Sequence, residues 1–279
     1  MQDAAYHRHM TDTAKPVSIQ AATVILAREG PDGVPEFLLV QRGEQLAFAG
    51  GALVFPGGRV DASDINIARN PLLAFGFDGL DDVDAAARIT CAREALEETG
   101  VLLTDGPHPD DAALAYARSL LAAGPDEAEA VGFAGMLGAM DHKVDAARFI
   151  PFARWEPPAA AAIVRRFDTR FYLADAGRSA SAVISPDGFE AKALRWTTAA
   201  QAIADYDAGT AAMVFPTWCN MHRLAQYQTL GTLFERVSAL PAPYVQPAFV
   251  TRDGEPWLTI PEGIDYPVTG DRVSNMRRE

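Results

Sequence analysis

One helix constrains this chain more than any other stretch. Residues 93–101 read Arg93-Glu94-Ala95-Leu96-Glu97-Glu98-Thr99-Gly100-Val101, with Glu94, Glu97 and Glu98 at i, i+3 and i+4. Three carboxylates therefore share one helical face. Like charges at this spacing destabilise a helix by about 0.2–0.5 kcal/mol per pair. The helix is expected to start from Asp82 or Asp84 as its cap and to stop at Gly100, which sets the negative face near the C-terminal end, against the helix dipole. A divalent cation over the face removes both costs, and carboxylate oxygens are the donors that Mg²⁺ and Mn²⁺ prefer. The expectation is a metal-dependent enzyme whose substrate is an anion, a phosphate ester or anhydride.

With 279 residues, 49% of them apolar, the chain can build one large core. Its 24 basic and 37 acidic residues leave a net charge of −13, and without a dense Lys/Arg run no nucleic-acid polymer is expected as a partner. An anionic substrate would be repelled by such a surface, so a cation and local arginines are needed where it binds. Cys91 and Cys219 have no metal-type spacing to each other or to the histidines, which argues against zinc and disulfides and for a reducing, cytoplasmic setting. Residues 1–16 contain no apolar targeting core, and no stretch of about 18 apolar residues follows, so neither export nor membrane association is expected.

Along the chain, Val17 to Ala27 and Glu36 to Gln41 are expected as strands paired across the turn Gly30-Pro31-Asp32-Gly33, and Ala52 to Phe55 as a short strand ending in the turn Pro56-Gly57-Gly58. Residues 65–81 are broken by Asn70-Pro71 and Gly76 and are expected to be irregular. Helices are expected over Asp110 to Ala123 and Asp126 to Met140, then a central strand over Ile163 to Ala174. Phe189 to Trp196 follows as its neighbour across Ser185-Pro186-Asp187-Gly188. Thr197 or Thr198 should cap a helix to about Tyr206, and Thr217 a last helix to about Val237. The Pro-rich tail, 241–279, is expected to lie extended over a single domain of residues 17–240 behind a flexible start, 1–16. This order implies an α/β fold with a mixed sheet covered on both faces.

Upstream of the acidic helix stands Gly58-Arg59-Val60-Asp61-Ala62-Ser63-Asp64 behind Phe55-Pro56-Gly57. Together with Arg93-Glu94-x-x-Glu97-Glu98-x-Gly100-Val101 it resembles the Nudix box, whose pattern is Gly, five residues, Glu, seven residues, Arg-Glu-x-x-Glu-Glu-x-Gly and an apolar residue. The second half matches throughout. Asp64 replaces the first glutamate, and 28 residues rather than seven separate it from Arg93, an insertion spanning about 65–85. A register from Gly79 restores the spacing but puts Ala85 in the glutamate slot. Gly58 is preferred because it directly follows a strand, and an inserted loop costs little. An insertion inside the box resembles the coenzyme A diphosphatase-like branch, as do Leu38 to Arg42, Gly51, Phe55 to Asp61, Arg166 to Tyr172 and Phe215-Pro216-Thr217-Trp218. Ala47 and Gly43 depart from that branch's signature.

The resemblance implies a Nudix-type α/β/α sandwich and a Mg²⁺- or Mn²⁺-dependent hydrolase of a nucleoside diphosphate linked to another moiety, with coenzyme A or an acyl-coenzyme A first. It implies Glu94, Glu97, Glu98 and the Gly58 carbonyl as metal ligands, with Arg93 pairing with a neighbouring carboxylate. For the base, Glu190 and Asp64 are rivals, against the plainer readings of a solvated loop acid and a structural turn. Arg42, Arg166 and Arg170 are candidate phosphate contacts, since guanidinium fits phosphate oxygens bidentately; the plainer readings are ordinary strand-end arginines for Arg42 and Arg166 and pairing with an acid for Arg170. A homodimer is the oligomeric option kept open. The alternative function is a catalytically silent sensor of a nucleotide or metabolite.

Overall fold

The strand β1 (Ile19–Glu29) carries a run from Val24 to Ala27 without solvent exposure, the apolar continuity of a strand covered on both faces. The computed structural model describes residues 18–43, 51–107, 109–122, 132–159, 166–177 and 191–277. After β1 come β2 (Pro35–Arg42), β3 (Leu53–Val54), β4 (Gly57–Arg59), α1 (Ala62–Ala68), β5 (Ala74–Phe75), α2 (Asp82–Thr99), α3 (Asp111–Ala122), α4 (Gly132–Met140) and β6 (Val144–Asp145). They are followed by β7 (Ile150–Trp155), β8 (Phe167–Asp175), β9 (Ala191–Thr198), α5 (Ala199–Asp207), α6 (Phe215–Leu224), α7 (Leu230–Ala239), β10 (Tyr244–Val245), β11 (Ala248–Arg252), β12 (Glu255–Thr259) and β13 (Gly270–Arg272).

The central sheet runs in the order β10-β7-β8-β1-β2-β3, with β4 also on β1 and β9 on β2. Its β1–β8 and β7–β10 pairs are parallel and the rest antiparallel. Alternation along β1 divides two cores. Ala22, Val24 and Leu26 pack with Ala92, Ala95 and Leu96 of α2. Ile25 and Ala27 face the other way, with Tyr206 of α5, Trp218 and Met221 of α6 and Leu233 of α7. Helices on both faces of a mixed sheet make the α/β/α sandwich expected from the chain. Among the described residues, no helix is long and apolar enough to cross a membrane.

Most of α2 is interior. Asp81 caps it by accepting from the Asp84 amide at 2.7 Å, and Gly100 ends it in a left-handed conformation at φ 78°, as glycine alone does without strain. Its inner charges are paired, as burial requires. Arg88 donates to the carbonyls of Ala146 and Phe149 at 2.7 and 2.6 Å and to Asp84 at 3.0 Å.

Several elements differ from expectation. β9 pairs with β2, not with β8, because β8 already has β1 on one edge and β7 on the other; the turn 185–188 lies outside the described residues. The single helix expected over 217–237 is two, with Pro216 in the first turn of α6 and Thr229 capping α7. Residues 65–81 are not wholly irregular, since α1 enters them and β5 pairs with β6. The glycines after Pro56 do not form a free turn but enter β4. The tail builds a three-stranded sheet, β11-β12-β13, anchored by the buried Leu258 and Ile260.

Candidate active site

The site forms where β4 meets the last turns of α2. β4 pairs antiparallel with β1, Gly58 opposite Ala22 and Gly57 opposite Thr23. Both positions are tight, Gly57 against backbone and Gly58 against a side-chain carboxylate. A Cβ on Gly57 would lie 2.7 Å from the Thr23 Cα, and one on Gly58 would run into the Glu94 carboxylate. Glycine at a strand position with close backbone approach is the expected solution. The Gly57 amide donates to Oε2 of Glu98 at 3.0 Å. Glu94 and Glu98 thus rest against consecutive glycines.

Arg93 organises the acids. Its Nη1 donates to Oε1 of Glu94 at 2.7 Å and to Oε2 of Glu97 at 3.2 Å; its Nη2 donates to the Arg59 carbonyl at 3.0 Å and to Oδ2 of Asp64 at 3.2 Å. Burial would lower the pKa of this guanidinium, but Glu94 and Asp64 outweigh burial and hold it raised. Burial lifts Glu94 above the ordinary carboxylate range against the opposing pull of Arg93. For the same two reasons Glu97 stands at about 7. Glu97 is the most open of these acids, its side chain 30% exposed against 12% for Glu94.

Among the described residues, no three acid, His or Cys side chains are already gathered as a metal cage; a guanidinium bridges two of the acids instead. The donor set nevertheless suits a hard divalent ion. Glu94 lies against Gly58, which has no side chain to block the approach, Glu98 against Gly57, and Glu97 shares Arg93 with Glu94.

Asp64 lies in α1 with no exposure, and accepts from Thr90 Oγ1 at 2.7 Å, the Asp61 amide at 2.9 Å and Arg93. It faces α2, not solvent, and is bonded to Arg93 there. Glu190 lies outside the described residues. Arg42 ends β2 with a buried Nε that has no hydrogen-bond partner among the described residues. Arg166, 5% exposed, donates to the carbonyls of Pro158 and Pro157 at 3.0 and 2.8 Å. Its guanidinium anchors a chain segment. Arg170 donates to Gln20 Oε1 at 2.8 Å and lies 3.9 Å from Asp168.

Sequence reasoning passed over Asp168 and Arg154. Asp168 is 3% exposed and accepts from Nε and Nη2 of Arg154 at 2.8 and 2.7 Å. Burial would raise its pKa, yet the Arg154 and Gln20 hydrogen bonds hold it below the usual value. Polar residues at alternate positions, Asp168 and Arg170, in a strand otherwise rich in apolar residues are the signal that marks this face.

No protein-family model matches the chain. It is 24% identical over 241 residues to acyl-coenzyme A diphosphatase NUDT19 of Xenopus laevis, covering 71% of this chain, and 26% identical over 234 residues to the human protein of the same name, covering 70%. These matches span 62% of each relative's own length. A NUDIX hydrolase from Alicyclobacillus acidocaldarius superposes with a TM-score of 0.62 at 25% identity, over 82% of this chain and all of that one.

Proposed function

We propose that this chain, a member of the Nudix superfamily resembling its coenzyme A diphosphatase branch, is a metal-dependent hydrolase of a nucleoside diphosphate linked to another moiety, with coenzyme A or an acyl-coenzyme A as the first substrate class. The observation that carries the reading is the packing of Glu94 and Glu98 against the side-chain-free Gly57-Gly58 segment. Solvated surface acids would have no need of it.

In this reading Glu94, Glu97, Glu98 and the Gly58 carbonyl hold Mg²⁺ or Mn²⁺. The ion would neutralise diphosphate charge and make a water nucleophilic near neutral pH. Arg93 sets the rotamers of Glu94 and Glu97, and Asp64 sets Arg93, an outer layer of the kind that orients ligands. Arg170 and Arg42 remain the candidate phosphate contacts, Arg42 because its buried Nε lacks a protein acceptor among the described residues. Arg166 leaves that set, since two carbonyls occupy it. Glu97 is the best-placed described acid to meet a water, being the most open of the group.

A silent sensor is the competing reading, favoured by the guanidinium bridge between Glu94 and Glu97. A substrate panel separates the two. Purified protein with Mn²⁺ should cleave at least one of coenzyme A, an acyl-coenzyme A, NADH, ADP-ribose or a dinucleoside polyphosphate, and Glu98→Gln should abolish the cleavage. Tight binding without product from any of them would favour the sensor and sink the hydrolase.

A further inference from the structure

One row of the central sheet starts beside the carboxylates at Gly58 and runs on across the fold. Register sets Gly58 opposite Ala22, Ala22 beside Arg170, Arg170 opposite Arg154 and Arg154 beside Tyr244. Five strands, β4, β1, β8, β7 and β10, thus contribute one residue each to a single line. Laterally paired residues project to the same face. That face lies under α2, because Ala22 packs in the α2 core and a Cβ on Gly58 would meet Glu94. With neighbouring strands about 4.8 Å apart, the line extends about 19 Å from the carboxylates to Tyr244.

The middle of the line is held from the adjacent row on the same face. Asp168 grips Arg154 through Nε and Nη2 and accepts from Gln20 Nε2 at 3.1 Å, while Gln20 Oε1 takes the Arg170 guanidinium. Arg154 Nη2 also reaches Glu156 Oε1 at 3.5 Å, and Nη1 is left without a hydrogen bond to the described residues, with the side chain 42% exposed. The Tyr244 ring stands 5.4 Å from that guanidinium and is 46% exposed. A fixed guanidinium beside an open aromatic ring offers a π-face and a cation together, the combination on which nucleobases stack. Acyl chains or plain phosphate would gain little from it.

We propose that Arg154 and Tyr244 form the subsite for the base of the substrate, with Arg170 beside the phosphates and Asp168 as the residue positioning both arginines. The proposal rests on the nucleotide-hydrolase reading and extends it. The nucleoside end lies across the sheet from the carboxylates, and the moiety beyond the scissile bond leaves in the other direction. Stacking is tolerant of base identity, so discrimination falls between nucleotides and base-free phosphates rather than among bases.

Calorimetric titration tests this without turnover, with AMP and ribose 5-phosphate as probes of wild-type protein, Tyr244→Ala and Tyr244→Phe. Removing the ring should weaken AMP about tenfold or more, Phe should restore binding to within about twofold, and ribose 5-phosphate should be indifferent to both changes. Equal AMP affinity in wild type and Tyr244→Ala would overturn the subsite. So would a wild-type protein that binds AMP no better than ribose 5-phosphate. Diphosphate hydrolysis measured on the same preparations keeps the two readings apart. Cleavage that persists while AMP ignores Tyr244 removes the subsite alone, whereas Tyr244-dependent AMP binding without cleavage of any substrate removes the hydrolase alone.

Discussion

Replacing Asp64 with Asn preserves volume at a site without exposure while removing the charge that faces Arg93. Asp64 accepts from Thr90, the Asp61 amide and Arg93, all of them donors. An amide supplies one acceptor oxygen and turns an NH₂ group toward the remainder. Losing a charge-assisted hydrogen bond costs about 1.5–3 kcal/mol. A buried pair broken outright costs about 3–5 kcal/mol, but Arg93 keeps Glu94 and Glu97, which puts the expected loss at about 2–3 kcal/mol. For a chain of this size that is a fall in Tm of about 4–12 °C. Guanidinium unfolding, followed by tryptophan fluorescence at unchanged m-value, measures it directly. Thr90→Val removes one donor to the same oxygen, so the double variant should show coupling above about 0.5 kcal/mol. Asp64→Glu should also destabilise, by about 1–3 kcal/mol, because the longer chain overpacks the site. A loss below about 1 kcal/mol for Asp64→Asn, or strict additivity with Thr90→Val, would refute the view that this carboxylate locks α1 to α2 through Arg93.

Gly58→Ala should leave the fold intact but displace the Glu94 carboxylate that its Cβ would meet, lowering activity and Mn²⁺ affinity together by about tenfold or more; unchanged Mn²⁺ titrations would remove Gly58 from the site. Glu97→Gln and Glu98→Gln should each cost about 100-fold or more in kcat, since even residues behind metal ligands are worth 10- to 100-fold, and near-normal turnover in both would deny the carboxylates a catalytic role. Burial holds His222 below its ordinary pKa, against weaker opposing pulls from Asp207 and Asp271. The unfolded chain therefore takes up the proton first as pH falls through about 6.5, so this contribution to stability is complete above that pH and declines below it. His222→Gln should flatten the decline in a denaturation series from pH 7.5 to 5.5, and an unaltered slope would count against the assignment.

What could be read from the chain was local chemistry. The limits of α2 depend on an acidic cap and a stopping glycine within one segment, and the cap fell on Asp81, one residue before the nearest expected position. The first hairpin was equally legible, because its turn residues are contiguous with its strands. Pairings that depend on a distant edge were not. Nothing in residues 189–196 says that β8 is already flanked on both sides and that β9 must go to β2. Asp64 poses the same difficulty on the scale of a side chain, since its partners Thr90 and Arg93 lie 26 and 29 positions away and only the packing of α1 on α2 brings them together.

The helix that suggested a metal shows why spacing alone is a weak argument. Repulsion among Glu94, Glu97 and Glu98 called for a cation, and the fold supplies one from the chain itself, because Arg93 Nη1 sits between Glu94 and Glu97. Charge balance is therefore met in part without any ion. Glu94 and Glu98 also press against Gly57 and Gly58, where a Cβ would meet the Thr23 backbone at the first and displace the Glu94 carboxylate at the second. A ligand bridging helix carboxylates to a strand carbonyl would use that clearance. The glycines opposite the acidic face, more than the face itself, thus mark the place a metal would take.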